Sequence, residues 1–219
     1  MDLILVGAGT FGREVFTWLS QAIEGSSQHK IKGFIDNLPQ NQIELDLRDF
    51  PIPILGTIND YQPKPDEKLV MAIFDPTLKK KFVKLLLKRG SKFHKLIHPS
   101  VIIGHNVKVG DGCIICPNCI LANDTNIGDY VFINTSSTIG HDTVVGSFTS
   151  INGGVQITGD VKVGSECFFG EGSLVINKRN VGDRAIIGAG SVVIRNVRPD
   201  VTVFGNPAKI VKGSDLPNT

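Results

Sequence analysis

No run of eighteen apolar residues occurs in the 219-residue sequence, and the longest apolar runs are strand-sized. A membrane-spanning helix is therefore not expected. Charge of one sign is also scarce. Lys and Arg number 23 against 21 Asp and Glu, a formal balance of +2, so nothing global points to nucleic acid or to an anionic membrane. Residues 1–6 lack the basic start and long apolar segment of a signal peptide, and a cytoplasmic location is expected. The apolar fraction of 41% is ordinary. The length fits one large or two small domains.

What is present is a repeat. From Val101 to about Val197 an aliphatic or aromatic residue returns at every sixth position, from Ile103, Val109 and Ile115 through Ile139, Ile157 and Val175 to Ile187 and Val193. A glycine or another small or polar residue usually follows, as at Gly104, Gly140 and Gly188. A second small or branched residue comes four positions after each aliphatic, as at Thr125, Ser137 and Thr143. A period of six fits neither a helix nor simple strand alternation. It is the period of a parallel β-helix, each hexad giving one short strand and one corner. Sixteen hexads at three per turn make just over five turns, a prism about 25 Å long at the sheet spacing. The glycines after the aliphatics are expected to form tight corners. Arg179 stands where a small inward residue is expected, so either the corner bulges or the arginine points outward. The tail from Val203 to Lys209 is expected to cap or flank the last coil.

Ahead of the repeat, Leu3–Val6 reads as a short buried strand. Gly7-Ala8-Gly9-Thr10-Phe11-Gly12 follows, then a helix to about Ala22 with Phe11, Val15, Trp18 and Leu19 on one face. A second strand, Ile31 to Ile35, ends at Asp36. A G-x-G-x-x-G between strand and helix, with an acidic residue closing the next strand, is the context of the dinucleotide fingerprint. Its glycines let backbone approach a phosphate, whose charge the helix N-terminus favours. The alternative is a tight turn with no ligand. Residues 37–67 read as loops around a short segment near Ile52–Leu55, and Leu69–Ile73 as another buried strand. Asp75-Pro76 opens a helix that runs to about Arg89 and stops at Gly90. Leu78, Phe82, Leu85 and Leu86 share one face, and Lys79, Lys80, Lys81, Lys84, Lys88 and Arg89 form a solvated basic face. Phe93–Ile97 is a last strand. The expected division is residues 1–97, an α/β Rossmann-like half domain sized for a mononucleotide or nucleotide-linked group, and residues 98–219, an all-β helix with its tail.

The four cysteines are Cys113, Cys116, Cys119 and Cys167. The first three carry a spacing that resembles metal or cluster binding. The repeat argues against it, because Cys113, Cys119 and Cys167 occupy the small inward position and successive hexads lie on different faces. They read as packing. His29, His94 and His98 show no cluster, and no metal site is expected.

Stacked coils place residues eighteen apart above one another. The corner positions two after each aliphatic then form three columns. One reads His105, Asn123, His141, Gly159, Asn177, Arg195; a second reads Asp111, Asp129, Ser147, Ser165, Asp183; the third reads Pro117, Thr135, Gly153, Glu171, Ala189. In the first, Asp142 follows His141 and supplies a carboxylate to orient the imidazole as a general base. Gly159 lies above it with an N–H suited to a developing oxyanion. That pairing suits acyl transfer from a thioester to an amine or hydroxyl. The bland alternative is a histidine facing solvent.

Leu5-Val6-Gly7-Ala8-Gly9, Gly33-Phe34-Ile35-Asp36, Leu96-Ile97-His98-Pro99-Ser100, Ile133-Asn134-Thr135-Ser136-Ser137, Ile139-Gly140-His141-Asp142 and Gly205-Asn206-Pro207-Ala208-Lys209 span nearly the whole chain. Their hexads resemble the left-handed β-helix acyltransferases. The chain as a whole resembles the bacterial sugar O- and N-acetyltransferases of the sialic-acid O-acetyltransferase family, which includes bacillosamine-pathway and perosamine enzymes acting on nucleotide-linked 4-amino-4,6-dideoxy sugars. The resemblance implies the left hand, which the general crossover rule does not. It implies a homotrimer with acetyl-CoA as co-substrate in the groove between neighbouring prisms. His141 matches the catalytic base, Asp142 an adjacent carboxylate, and Gly159 a backbone amide near the thioester carbonyl. Glu171 and Ala189 match positions contacting the pantetheine arm, and Lys209 belongs with them as cofactor-binding. Asn134 matches a polar residue beside the acceptor. Gly7, Gly9, Gly12 and Asp36 match the nucleotide-sugar pocket. Two departures stand out: Phe11 and Ser150 occupy places where members often carry histidine.

The expected activity is N-acetylation of a nucleotide-linked 4-amino-4,6-dideoxy sugar, by direct attack with His141 as base, in surface-polysaccharide or glycan biosynthesis such as that of lipopolysaccharide. O-acetylation of a sugar hydroxyl and a non-catalytic binding β-helix are the rival readings. NAD-dependent redox chemistry rests on the glycine turn alone, and the module's size argues against it.

Overall fold

A computed structural model of the protein describes residues 1–37 and 50–213. The chain divides into two compact units, Met1–Pro99 and Ser100–Thr219. Of the loop-rich stretch expected over 37–67, residues 38–49 lie outside the described residues.

The first unit contains β1 (Asp2–Val6), α1 (Thr10–Ala22), β2 (Lys30–Ile35), β3 (Ile54–Gly56), β4 (Glu67–Met71), α2 (Pro76–Lys88) and β5 (Leu96–Ile97). Strands β3-β2-β1-β4, in that order, form a wholly parallel sheet. The apolar run Leu3–Val6 becomes β1 because it is covered on both faces, as parallel strands must be. Helix α1 buries Gly12, Val15 and Leu19. Phe16 meets Phe34 at 6.3 Å and Phe50 at 5.0 Å between ring centroids.

Two expectations shift. Strand β4 starts at Glu67 and ends at Met71, two residues earlier than the apolar run Leu69–Ile73 indicates. Glu67 enters the strand because its buried carboxylate is matched: it accepts from the Tyr61 hydroxyl at 2.7 Å and the Lys32 ammonium at 3.2 Å. The Lys32 donor, on a different strand, cannot be read from local pattern. Helix α2 is capped as expected, Asp75 accepting from the Leu78 N–H at 2.8 Å, but its buried stripe is Pro76, Lys79, Val83 and Leu86. Leu78 is 46% exposed and Lys79 only 2%. A lysine stem is as apolar as leucine, so Lys79 joins the buried face and does not belong to the basic one.

His94 is half-buried and its ring lies 5.4 Å from that of His29. Burial first, then the neighbouring charges of His29 and Lys68, lower its pKa from 6.5 to about 4. The unfolded chain therefore binds this proton more readily than the folded one. Stability of the first unit is expected to fall as pH drops from 6.5 to about 4. Acid titration of its near-UV signal should show a shallower slope across that window in His94→Gln.

The second unit is a parallel β-helix. Sixteen two-residue strands run from Ile102–Ile103 to Val192–Val193, and each of the first thirteen pairs in parallel with the strand eighteen residues on. One face carries the series from Ile102–Ile103 to Val192–Val193, a second Lys108–Val109 to Asn180–Val181, and a third Ile114–Ile115 to Ile186–Ile187. The second residue of each strand points inward: Ile115, Leu121, Ile133, Ile139, Ile151, Phe169 and Ile187 are all 0% exposed. The tail sits on the last coil. Thr202–Phe204 pairs with Ile186–Ile187, and Lys209–Lys212 folds back antiparallel to it.

The corners are made differently from expectation. The glycines after the aliphatics do not take the left-handed conformation. That falls two residues later, at Asn106, Asn118, Asp124, Tyr130, Ser136, Asp142, Phe148 and their equivalents, with φ of 54° to 64°. The earlier glycines serve close approach instead: a Cβ on Gly146 would meet the backbone of Gly164, and one on Gly170 that of Ala189. The small inward residues have a further role. Cys113, Cys119, Thr125, Ser137, Thr143, Thr149 and Cys167 each donate to the carbonyl fifteen residues on, at 2.8–3.3 Å. Arg179 resolves the same way. Its Nε donates to the Ile194 carbonyl at 3.0 Å, also fifteen residues on, while the side chain remains partly exposed.

Thr149 is fully buried, donates to Gly164 at 3.0 Å and accepts from the Cys167 N–H at 3.1 Å. Thr149→Val keeps the shape and strands both partners. A loss of about 1–3 kcal/mol is expected in urea unfolding, against a near-neutral effect for the exposed Thr17→Val.

Candidate active site

The candidate site stands on the corner after Thr138–Ile139. His141 and Asp142 are both exposed, with side-chain accessibilities of 63% and 55%, and His141 Nδ1 lies 2.8 Å from Asp142 Oδ2. Asp142 holds φ at 56°, and its N–H donates to the Asn123 carbonyl at 3.1 Å one coil below. The His141 carbonyl accepts from Asp160 N–H at 2.9 Å one coil above. The catalytic pair expected from sequence is thus fixed at both backbones by the stack. With Nδ1–H donated to Asp142, Nε2 is the nitrogen left as acceptor.

Gly159 lies over this ring as the column reading expects. A Cβ there would overlap the imidazole, Nε2 first. Its carbonyl accepts from Lys178 N–H at 3.2 Å, whereas its own N–H donates to no described residue. Elsewhere the equivalent N–H is taken by a side chain of the next coil: His105 N–H by Asn123, Asp111 by Asp129, Asp129 by Ser147, Ser165 by Asp183, at 2.8–3.0 Å. Asn123 was not singled out by sequence reading, although its offset of eighteen from His141 marks it.

Asn134, Glu171 and Ala189 are not brought to His141 within the chain. They follow strands of a different face, Phe132–Ile133, Phe168–Phe169 and Ile186–Ile187. Asn134 is half-buried and its side chain accepts from Thr135 N–H at 2.8 Å; Glu171 and Ala189 are exposed. Lys209 is exposed on the tail. Ser150 is fully buried in a strand between Phe132 and Phe168, so it presents nothing to a ligand.

In the first unit the glycine turn and Asp36 come together. The Ala8 N–H donates to Asp36 Oδ2 at 2.6 Å. The three glycines differ in use. Gly7 holds φ at 107° against the Ala72 carbonyl, Gly12 leaves no room for a Cβ against Gly7, and Gly9 opens on free space at the start of α1. The three glycines thus divide their work as the dinucleotide fingerprint describes, and Gly9 is the one with open space beside its backbone. Phe11 packs edge-on against Phe74 at 5.8 Å and Trp18 at 6.3 Å, so it fills core and offers no polar group.

The cysteines are free and fully buried. Burial pushes the Cys119 and Cys167 thiols up to about 11, which leaves no thiolate near pH 7. Among the described residues no group of three or more His, Cys, Asp or Glu gathers around a common point, and no helix is long and apolar enough to cross a membrane.

Residues 91–184 match the GMPPB C-terminal domain family. No curated protein sequence matches the chain. Among solved structures, the acetyltransferase domain of PglB from Neisseria gonorrhoeae superposes with a TM-score of 0.84 at 25% identity, covering 96% of this chain and 99% of that one. WeeI from Acinetobacter baumannii gives 0.83 at 26%, covering 96% and 100%. A histidine-to-asparagine mutant of perosamine N-acetyltransferase from Caulobacter crescentus, in complex with CoA and GDP-perosamine, gives 0.83 at 26%, covering 98% of each chain. The PglB domain is also known with acetyl coenzyme A.

Gly159→Ala is expected to push the imidazole off the Asp142 carboxylate while costing about 1–3 kcal/mol of stability. The His141 ring nitrogen shifts in NMR, compared with those of Asp142→Asn, report whether the ring has moved.

Proposed function

We propose that the protein is an acetyl-CoA-dependent N-acetyltransferase acting on the amino group of a nucleotide-linked 4-amino-4,6-dideoxy sugar. The observation that carries this reading is the exposed His141–Asp142 pair beneath the free Gly159 N–H, on a chain similar end to end to acetyltransferases, one of them with GDP-perosamine and CoA. The sugar amine attacks the thioester carbonyl. A nitrogen–carbon bond forms, and His141 Nε2 takes the proton the amine loses. Asp142 keeps the imidazole in the tautomer that leaves Nε2 basic. The Gly159 N–H faces the carbonyl oxygen as its negative charge grows. The carbon–sulfur bond then breaks, and the proton passes from Nε2 to the departing thiolate of CoA. No acyl-enzyme is required, and the high thiol pKa of Cys119 agrees with that.

The first unit is read as a Rossmann-like nucleotide-sugar module, with Gly9 and the α1 N-terminus at the phosphates and Asp36 beside the nucleoside. The second is read as a left-handed β-helix carrying catalysis. Glu171, Ala189 and Lys209 are assigned to the CoA arm and Asn134 to the acceptor side. Since these stand on a different corner from His141, the complete site is assigned to a groove between two prisms of a homotrimer. A cytoplasmic place in surface-glycan biosynthesis follows from the substrates.

His141→Asn is expected to lower acetyl transfer by about 10²–10⁴-fold, measured as CoA release, with nucleotide-sugar binding retained by calorimetry. Near-native turnover in that variant sinks the mechanism. A panel of 4-amino sugars and their 4-hydroxyl counterparts tests N- against O-transfer.

A further inference from the structure

The left-handed residues that close the corner of His141 form a ladder of their own, one per coil: Asn106, Asp124, Asp142, Asp160 and Lys178. Their φ angles all lie between 54° and 59°. Their side chains therefore leave the prism in a common direction, stacked at the sheet spacing of about 4.8 Å. Asn106 and Asp124 show that neighbours on this ladder reach one another, the Asn106 Nδ2 donating to Asp124 Oδ1 at 2.8 Å.

Two of the three carboxylates are engaged. Asp124 accepts from Asn106, and Asp142 holds the imidazole of His141. Asp160 differs. It is exposed, and its side chain has no hydrogen-bond or ion-pair partner among the described residues. Lys178, one coil farther on, does not come within ion-pair distance of it. Only the backbone of Asp160 is held, its N–H donating to the His141 carbonyl at 2.9 Å. Elsewhere in the unit an exposed corner carboxylate is matched: Arg184 holds Asp200 with two bonds of 2.6 and 2.7 Å.

The place of Asp160 sharpens the contrast. It directly follows Gly159, whose N–H is assigned to the growing oxyanion, and it stands over Asp142. A bare carboxylate there repels both negative charges. It opposes the proposed reaction unless the acceptor brings a positive charge. An alkyl amine does so, because it is largely protonated near pH 7, whereas a sugar hydroxyl is neutral. An ammonium also offers three donors to a carboxylate that accepts from no side chain.

We propose that Asp160 binds the acceptor's amino group in its ammonium form and thereby selects amines over hydroxyls. This deepens the acetyltransferase reading above and rests on it. The bound ammonium gives one proton to solvent. The neutral amine then attacks as described, and the proton it loses on forming the amide passes to His141.

The test uses the full-length protein, acetyl-CoA and a panel of GDP-, UDP- and dTDP-linked 4-amino-4,6-dideoxy sugars, with their 4-hydroxyl counterparts as competitors. Asp160→Asn keeps the shape and tolerates the left-handed region. In this variant KM for the amino sugar that the wild type uses rises about fivefold or more, with the effect on KM rather than kcat. The inhibition constant of the hydroxyl counterpart does not rise with it. Asp160→Glu restores part of the preference for the amine. Added salt narrows that preference in the wild type and not in Asp160→Asn. Asp124→Asn removes a carboxylate of the same ladder two coils below and keeps the preference. A full preference retained by Asp160→Asn, or one lost equally in Asp124→Asn, overturns the proposal. So does transfer to hydroxyl sugars in preference to amino sugars. Absence of transfer to every acceptor overturns the parent reading, and the proposal falls with it. Matching thermal transitions check that the variants are folded.

Discussion

Everything in the second unit depends on the stacking of each coil on the next at an offset of eighteen residues. The amide ladder enforces it along the strands, and two further contacts enforce it at the corners. The small inward side chain donates upward to the carbonyl fifteen residues on. The corner glycine lets the backbones touch. Cysteine, serine and threonine donate in this way at seven inward positions, while Val131, Val155, Val161 and Ala185 fill the same position by packing alone. The corner itself is closed by a residue in the left-handed region, and even Tyr130 and Phe148 accept that conformation, their rings stacked 5.1 Å apart. A bulky residue in that region carries strain of about 1–3 kcal/mol, which persists only because the coils above and below fix the backbone on both sides.

The candidate site is a lapse in this structural ladder. At four corners of the His105 and Asp111 columns an N–H of one coil is capped by an Asp, Asn or Ser of the next. At the His141 corner the next coil offers Gly159, which has no side chain to cap anything. The imidazole lies where a Cβ would stand, and the Gly159 N–H keeps its capacity to donate. The same glycine that removes a cap thus supplies both the room and the donor. Rigidity costs nothing extra here, because Asp142 and His141 are held through their own backbones by Asn123 and Asp160.

The repeat made much of this legible. A period of six read modulo eighteen gives the β-helix, the buried set, the inward cysteines and the placement of Gly159 over His141, because in a stack sequence offset is spatial distance. It misjudged the corner glycines, since a Cβ clash with the next coil and a positive φ both favour glycine and composition does not tell them apart. It left Arg179 open, because a long side chain that caps a carbonyl looks like an error in a column of small ones. In the first unit no such ruler exists. Glu67 reads as loop and Lys79 as solvated face, yet both are buried, the first matched by Tyr61 and Lys32, the second through its stem. Such exceptions are settled by tertiary contacts that a local pattern does not carry.

The stack also restricts where chemistry is possible. A side chain pointing inward is committed to the core, and one on an interior strand faces neighbours 4.8 Å away on both sides. Two kinds of place remain free to carry unpaired polar groups: a corner where the coil above gives way, and the end of the prism, where no further coil demands a partner. His141 occupies the first kind. Arg195 and Lys209 occupy the second, where the tail closes the last coil and the ladder stops. The separation between the two is set by the number of coils alone, three between the strand before His141 and the strand before Arg195.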